Sequence, residues 1–410
     1  MPVSVFFMNE NQPGYLTKLA WSLPWLARYP LWRAKELVRR VTEATAKQHI
    51  LIFVANHFEP FWNEQGQKLD LSTQQRRLEE WCAMAEKTGQ AVRDSAGAAF
   101  RHTLFYPGEE YQAPLLDRMA QLQADGFGEV EIHLHHGVEA PDTAANLRRG
   151  LTEFRDALAE EHGCLSRMNG AGAPMYGFVH GNLALGNSAG GRFCGVDEEM
   201  QILAETGCYA DFTLPSAPDQ SQVPRINAIY QCGGPLDKAR PHRSGPSVRV
   251  GVRPQLPLIF TGPLVFDWRR RVKGLPVPRL DDGSLVGNYP LDTARFTNWR
   301  NAHIGVRGKP DWLFIKLYCH GFFQKDQAAM IGDGARRSME SLLELSEQTG
   351  RFKIHFTTAR EAFNIAMAAV DGQTGEPGDY RDYRLRQIMR EGVDSHSARA
   401  AERETATALS

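Results

Sequence analysis

Two rhythms of apolar and polar positions alternate along most of this chain. HILIFVAN (49–56) is a continuous apolar run, the pattern of a strand buried on both faces. Comparable runs recur at RHTLFYP (101–107), EVEIHLHH (129–136), MYGFVHG (175–181), CYADFTL (208–214), WLFIKLYCH (312–320) and RFKIHFT (351–357). Segments with helical spacing lie between them, at 72–88, 110–124, 142–161, 197–206, 325–349 and 358–370. This alternation predicts an α/β architecture around a parallel sheet, since parallel neighbours need a crossover between them. At least seven such strands suit a barrel or a large open sheet.

The rhythm fails between 215 and 311, a stretch rich in Pro, Gly and Arg. Short strands are expected there at 226–231, 247–252 and 257–261, in a long insertion on one face. Three units follow: residues 1–47, a main domain at 48–385, and a polar tail at 386–410 expected to be disordered. The first unit is basic and aromatic. Residues 15–47 hold Trp21, Trp25 and Trp32, with seven Lys or Arg against two Glu. Pro24 and Pro30 divide it, and a helix is expected from Leu31 to Ala46. That composition suits contact with a membrane surface, and it suits equally a helix packed on the main domain.

Composition narrows the function. Lys plus Arg number 47 and Asp plus Glu 48, so no chain-wide field draws nucleic acid. No apolar run reaches 18 residues, so no transmembrane helix is expected. The opening MPVSVFFMNENQPG lacks the form of a secretory signal, and the six scattered cysteines form no CxxC pair. The chain reads as cytoplasmic with reduced thiols, peripheral to the inner membrane face if residues 15–47 touch lipid. No P-loop is present.

In parallel α/β folds, chemistry gathers at the C-terminal ends of strands. Here those ends are rich in imidazole and carboxylate: His57 and Glu59, then His133, His135 and His136, then His180, Asp211 and His320. Neutral imidazoles converging with carboxylates suit Zn²⁺ or a similar divalent ion. His133 and His135 stand two apart on one strand and so share a face. The expected ligands are His57, His133 and His135, with Glu59 and Asp211 either completing the coordination sphere or serving as general base. His180 and Asn182 at the fourth strand end are candidate substrate-binding groups. Glu109 and Glu110 are either a sugar-binding pair or acids favouring a helix N-terminus.

These strand ends resemble the polysaccharide deacetylase superfamily, the NodB-like or carbohydrate esterase family 4 group. Ala55-Asn56-His57-Phe58-Glu59-Pro60 stands where that family has Thr-Phe-Asp-Asp-Gly-Pro. Glu131-Ile132-His133-Leu134-His135 is similar to its second motif, with Glu139 in the place of that motif's second histidine. Leu317-Tyr318-Cys319-His320 is similar to its late Leu-x-His. The stretches FYPGEEY, HGNLALGN, ETGCYADFTLPSAP and HFTTAREAFNIA resemble a divergent branch found beside exopolysaccharide genes. The resemblance implies a deformed (β/α)7-type barrel over 48–385 and metal-dependent removal of acetyl groups from sugar amides in surface polysaccharide metabolism. It puts Asn56 in the place of the family's catalytic acid and gives His320 the protonation of the leaving amine. Asn56 cannot act as a base, so Glu59 or Asp211 would take over. The alternatives are a barrel that has lost catalysis and binds a glycan or a partner, or another metal-dependent hydrolase on the same barrel.

Overall fold

The run HILIFVAN forms the centre of strand β1 (Gln48–His57) and is buried almost throughout, as the apolar stretch Ile50–Ala55 requires. The computed structural model describes residues 14–43, 45 and 47–389. Helices α1 (Tyr15–Leu26) and α2 (Tyr29–Thr42) precede β1. After it come α3 (Leu71–Ala91), capped by the Asp70 carboxylate, then β2 (His102–Pro107), α4 (Ala113–Ala124), β3 (Gly128–Leu134) and α5 (Ala144–Glu160). Next are β4 (Ser166–Met168), β5 (Ala171–His180), α6 (Glu199–Thr206), β6 (Cys208–Asp211), β7 (Ile229–Gln231) and β8 (Leu258–Phe260). Short strands β9 (Val265–Asp267), β10 (Arg271–Val272), β11 (Leu275–Pro276) and β12 (Arg279–Asp281) lead to α7 (Thr293–Asn301). The last elements among the described residues are β13 (Trp312–His320), α8 (Gln324–Met330), α9 (Asp333–Thr349), β14 (Phe352–Phe356), α10 (Ala359–Val370) and β15 (Leu385–Gln387).

The central sheet runs β13-β1-β2-β3-β5-β6-β8-β7, with every neighbouring pair parallel except β7 with β8. β14 pairs in parallel with the first half of β1, and β2 with its second half. The protein is therefore a mixed α/β structure around a largely parallel sheet. Register decides what meets at its C-terminal edge. His57 lies opposite His320, Pro107 opposite His133, and Leu134 opposite His180.

Several expectations shift. β3 stops at Leu134, so His135 and His136 leave the strand and belong to the loop after it. The helix expected over 325–349 is two helices parted at Ile331-Gly332. A Cβ at Gly334 would stand 2.5 Å from the Ala328 carbonyl oxygen, so the parting rests on close backbone packing. Residues 247–252 form isolated bridges rather than a strand. Residues 385–387 are a strand on β4, so order runs past the expected start of the polar tail; residues 390–410 lie outside the described residues.

The N-terminal helices are seated on the insertion. Trp25, 1% exposed, packs among Ala217, Ile226 and Leu264 and stacks on Phe266. Pro24 falls in the last turn of α1 rather than breaking it, and Pro30 sits in the first turn of α2, where its missing N–H costs nothing. Glu36 pairs with Arg39 of its own helix and with Arg307 of the main domain. Among the described residues no helix is long and apolar enough to cross a membrane.

Candidate metal centre

Two triads meet at Glu59, just past the end of β1. One is Glu59, His133 and His135; the other is His57, Glu59 and His320. In each, the ligand atoms lie within 4.8 Å of one another. His57 therefore joins His320 across the β1–β13 ladder, and His133 and His135 form the other side. The rings are close-set, with centroids 4.7 Å apart for His57 and His133, 4.7 Å for His57 and His320, and 4.6 Å for His133 and His135.

Hydrogen bonding fixes which nitrogens are available. His133 Nδ1 lies 2.9 Å from the Val179 carbonyl oxygen, which only accepts, so Nδ1 carries the proton. His135 Nδ1 lies 2.6 Å from Glu109 Oε1 and is a donor for the same reason. In the neutral rings both Nε2 atoms are then lone pairs. They face Glu59 Oε1 at 3.3 and 3.9 Å, and the buried His133 Nε2 makes no aligned hydrogen bond. Three acceptors facing one another repel unless a cation or a shared proton sits among them. Glu109 on His135 is the carboxylate–histidine arrangement that orients metal ligands.

The electrostatics favour an ionised Glu59 with positive charge beside it, borne by a protonated imidazole or by a bound cation. Burial alone would raise the Glu59 carboxyl; His133 beside it and the imidazoles of His135 and His320 outweigh that and hold it at about 2. Burial, then His320 and His133, drives His57 well below its ordinary value, which keeps its ring neutral. Burial would lower His135, but Glu109 outweighs it and raises that ring.

The other expected residues fall elsewhere. Asn56, next to His57 on an extended strand, points to the opposite face, where its amide lies 3.3 Å from His102 Nδ1. Asp211 is wholly buried at the end of β6 and accepts from the Thr213 hydroxyl at 2.7 Å; burial pushes its carboxyl up to about 7. Glu110 pairs with Lys68 at 2.6 Å, so the two adjacent glutamates part company. His180 and Asn182 are buried, and neither belongs to the Glu59 triads. His180 instead joins His136, Cys194 and Glu199 in a second buried cluster. Cys194 and Glu199 escape sequence reasoning because a loop thiol and a helix-start carboxylate carry no periodic signal.

Buried His, Cys and Glu groups in this protein thus have the chemistry to bind a metal ion. The chain was compared with protein-family models, with curated proteins and with solved structures, and matches none of them.

Proposed function

We propose that this chain is a metal-dependent hydrolase of the polysaccharide-deacetylase type, cleaving the acetamide of an N-acetylated carbohydrate on a deformed (β/α)7-type barrel. The observation that carries this reading is the close set of His133 Nε2, His135 Nε2 and Glu59 Oε1, in which the buried His133 Nε2 makes no aligned hydrogen bond. These three residues would hold Zn²⁺ or a similar ion, with His57 and His320 flanking Glu59 on its other side. Such an ion lowers the pKa of a bound water towards ~7 and polarises an acetyl carbonyl. Glu109 fixes the His135 ring. His320 faces a cavity of about 390 Å³ lined also by Ser284, Asn288, Tyr318 and Phe323, a mix of aromatic and hydrogen-bonding groups suited to a sugar. From there His320 would take the proton of the attacking water and pass it to the leaving amine.

The same reading includes peripheral contact with an anionic lipid surface. α1 and α2 bury Trp25 but leave Leu16, Leu23, Leu31, Val38 and Val41 exposed, with Arg28 and Lys35 exposed beside them. Apolar side chains bordered by cations match an anionic bilayer interface.

Metal content and acetate release test the proposal. Wild type is expected to hold bound metal and to release acetate from members of a panel of N-acetylated oligosaccharides. His133→Ala and His135→Ala should each lower both. Failure to take up metal after reconstitution overturns the metal reading, and a loaded enzyme that releases no acetate overturns the deacetylase reading.

A further inference from the structure

β3 and β5 end side by side, and the chain beyond each end returns to one buried point. His136, His180, Cys194 and Glu199 bring one ligand atom each to within 4.8 Å of one another. His136 Nε2 is 3.1 Å and His180 Nε2 3.6 Å from Glu199 Oε1, and Cys194 Sγ is 3.6 Å from Glu199 Oε2. We propose that these four residues form a second metal site, structural in kind, that takes Zn²⁺.

The donor set argues for this ion. Two imidazoles, a thiolate and a carboxylate suit a borderline-soft cation, and a thiolate disfavours Mg²⁺ and Ca²⁺. Ligands about 2.0–2.3 Å from a tetrahedral zinc stand about 3.3–3.7 Å apart, close to the three spacings from Glu199, with all four ligand atoms within 4.8 Å. Cys194 gives up its proton on binding, and the thiolate and carboxylate then cancel the charge of the ion inside a buried site. Four protein ligands close the coordination sphere, which marks a structural rather than a catalytic zinc.

A second observation is independent of the donor count. His180 is 0% exposed, yet its Nε2, aimed into the cluster, has no hydrogen-bond partner. Such a group costs free energy unless something outside the chain satisfies it. His136 carries the orienting carboxylate of a metal ligand: its Nδ1 lies 3.1 Å from Asp142 Oδ2. Asp142 is itself held by the Thr143 N–H at 2.8 Å and by Asn146 Nδ2 at 2.7 Å. The Asn182 N–H lies 3.3 Å from His180 Nδ1, a contact that metal binding gives up because Nδ1 then bears the proton.

The site staples residues 181–198, a segment with one short 3₁₀ turn and no other regular structure. That segment presses on the first centre. A Cβ at Gly181 would lie 2.2 Å from His135 Cδ2. A tie at His180 and Cys194 therefore holds the backbone that backs a ligand of the Glu59 centre.

Cobalt separates the two sites, because the Glu59 centre contains no sulfur. Protein reconstituted with Co²⁺ should show cobalt–thiolate charge-transfer absorption. Cys194→Ser, a near-isosteric change, should abolish that band and lower metal content by about one equivalent per chain. His133→Ala should leave the band intact, so the sites fail separately. Cobalt-loaded wild type without thiolate absorption overturns the proposal, as does Cys194→Ser with unchanged metal content.

Discussion

Glu109 and Glu110 are adjacent glutamates with different tasks, and replacing each with alanine separates them. Glu109 Oε1 accepts from His135 Nδ1 at 2.6 Å, and both its oxygens stand 3.3 Å from the His135 backbone N. Removing a carboxylate that orients a metal-bound histidine costs roughly 10- to 100-fold in metal affinity. That is about 1.4–2.7 kcal/mol. The loss should fall at the upper end, because the His135 side chain is only 4% exposed and water cannot readily replace the bond. Glu110 instead meets Lys68, whose side chain is 55% exposed, in an ion pair of the kind contributing about 0–1 kcal/mol. Glu110→Ala should therefore leave metal affinity unchanged. The assay is competition with a chromophoric chelator at fixed pH. Equal zinc affinity in wild type and Glu109→Ala would refute the orienting role, and weakening by both variants alike would show that the loop, not one carboxylate, matters.

Three further outcomes are expected. Trp25→Ala should destabilise the chain by about 3–5 kcal/mol, read as a lower unfolding midpoint, because a buried indole leaves a cavity among Ala217, Ile226 and Leu264; an unchanged midpoint would mean the N-terminal helices are not seated on the insertion. Glu361, buried between Arg101 at 2.6 Å and Arg381 at 2.9 Å, is held far below its unfolded value by these guanidiniums despite burial. Its contribution is present above about pH 4.3 and fades as pH falls towards the folded pKa, so Glu361→Gln should flatten the acid limb of stability against pH; parallel limbs would sink this. Leu16→Glu with Leu23→Glu, both exposed positions, should weaken co-sedimentation with phosphatidylserine vesicles while leaving the melting curve alone, and wild type that stays in the supernatant would remove the lipid contact.

Legibility from sequence followed burial. β13 matches its largely apolar run residue for residue, because a strand covered on both faces is mostly apolar, the buried Lys316 being its exception before the final His320. α1 escaped because Pro24 reads as a breaker in sequence, while in the last turn of a helix it does little harm. The gap between α8 and α9 rests on Gly334 meeting Ala328, a packing contact with no periodic trace. At the site, imidazoles at strand ends were legible one by one, but their grouping was not. Alternation along an extended strand sends Asn56 away from His57. The end of β3 at Leu134 lets His136 turn from His135 towards Cys194 and Glu199, residues more than 50 positions on.

The same grouping decides what Glu59 does. As a general base it would stand free to take a proton from water, and Glu59→Gln would cost on the order of 10²–10⁴-fold in rate while metal stayed bound. As a ligand it gives its lone pair to the ion and has little basicity left. The geometry favours the second role: Oε1 stands 3.3 and 3.9 Å from two imidazole Nε2 atoms, and Glu59 belongs to both triads. Asn56 lies on the far face and Asp211 is tied to Thr213, so neither supplies a carboxylate at this point. Proton transfer then falls to His320, which lines the cavity. Glu59→Gln should accordingly lose metal from the centre as well as activity, because an amide oxygen is a far weaker donor than a carboxylate. Metal analysis after exhaustive dialysis reads the difference, and Glu59→Gln protein that keeps its full metal complement while turnover falls would return Glu59 to the role of base.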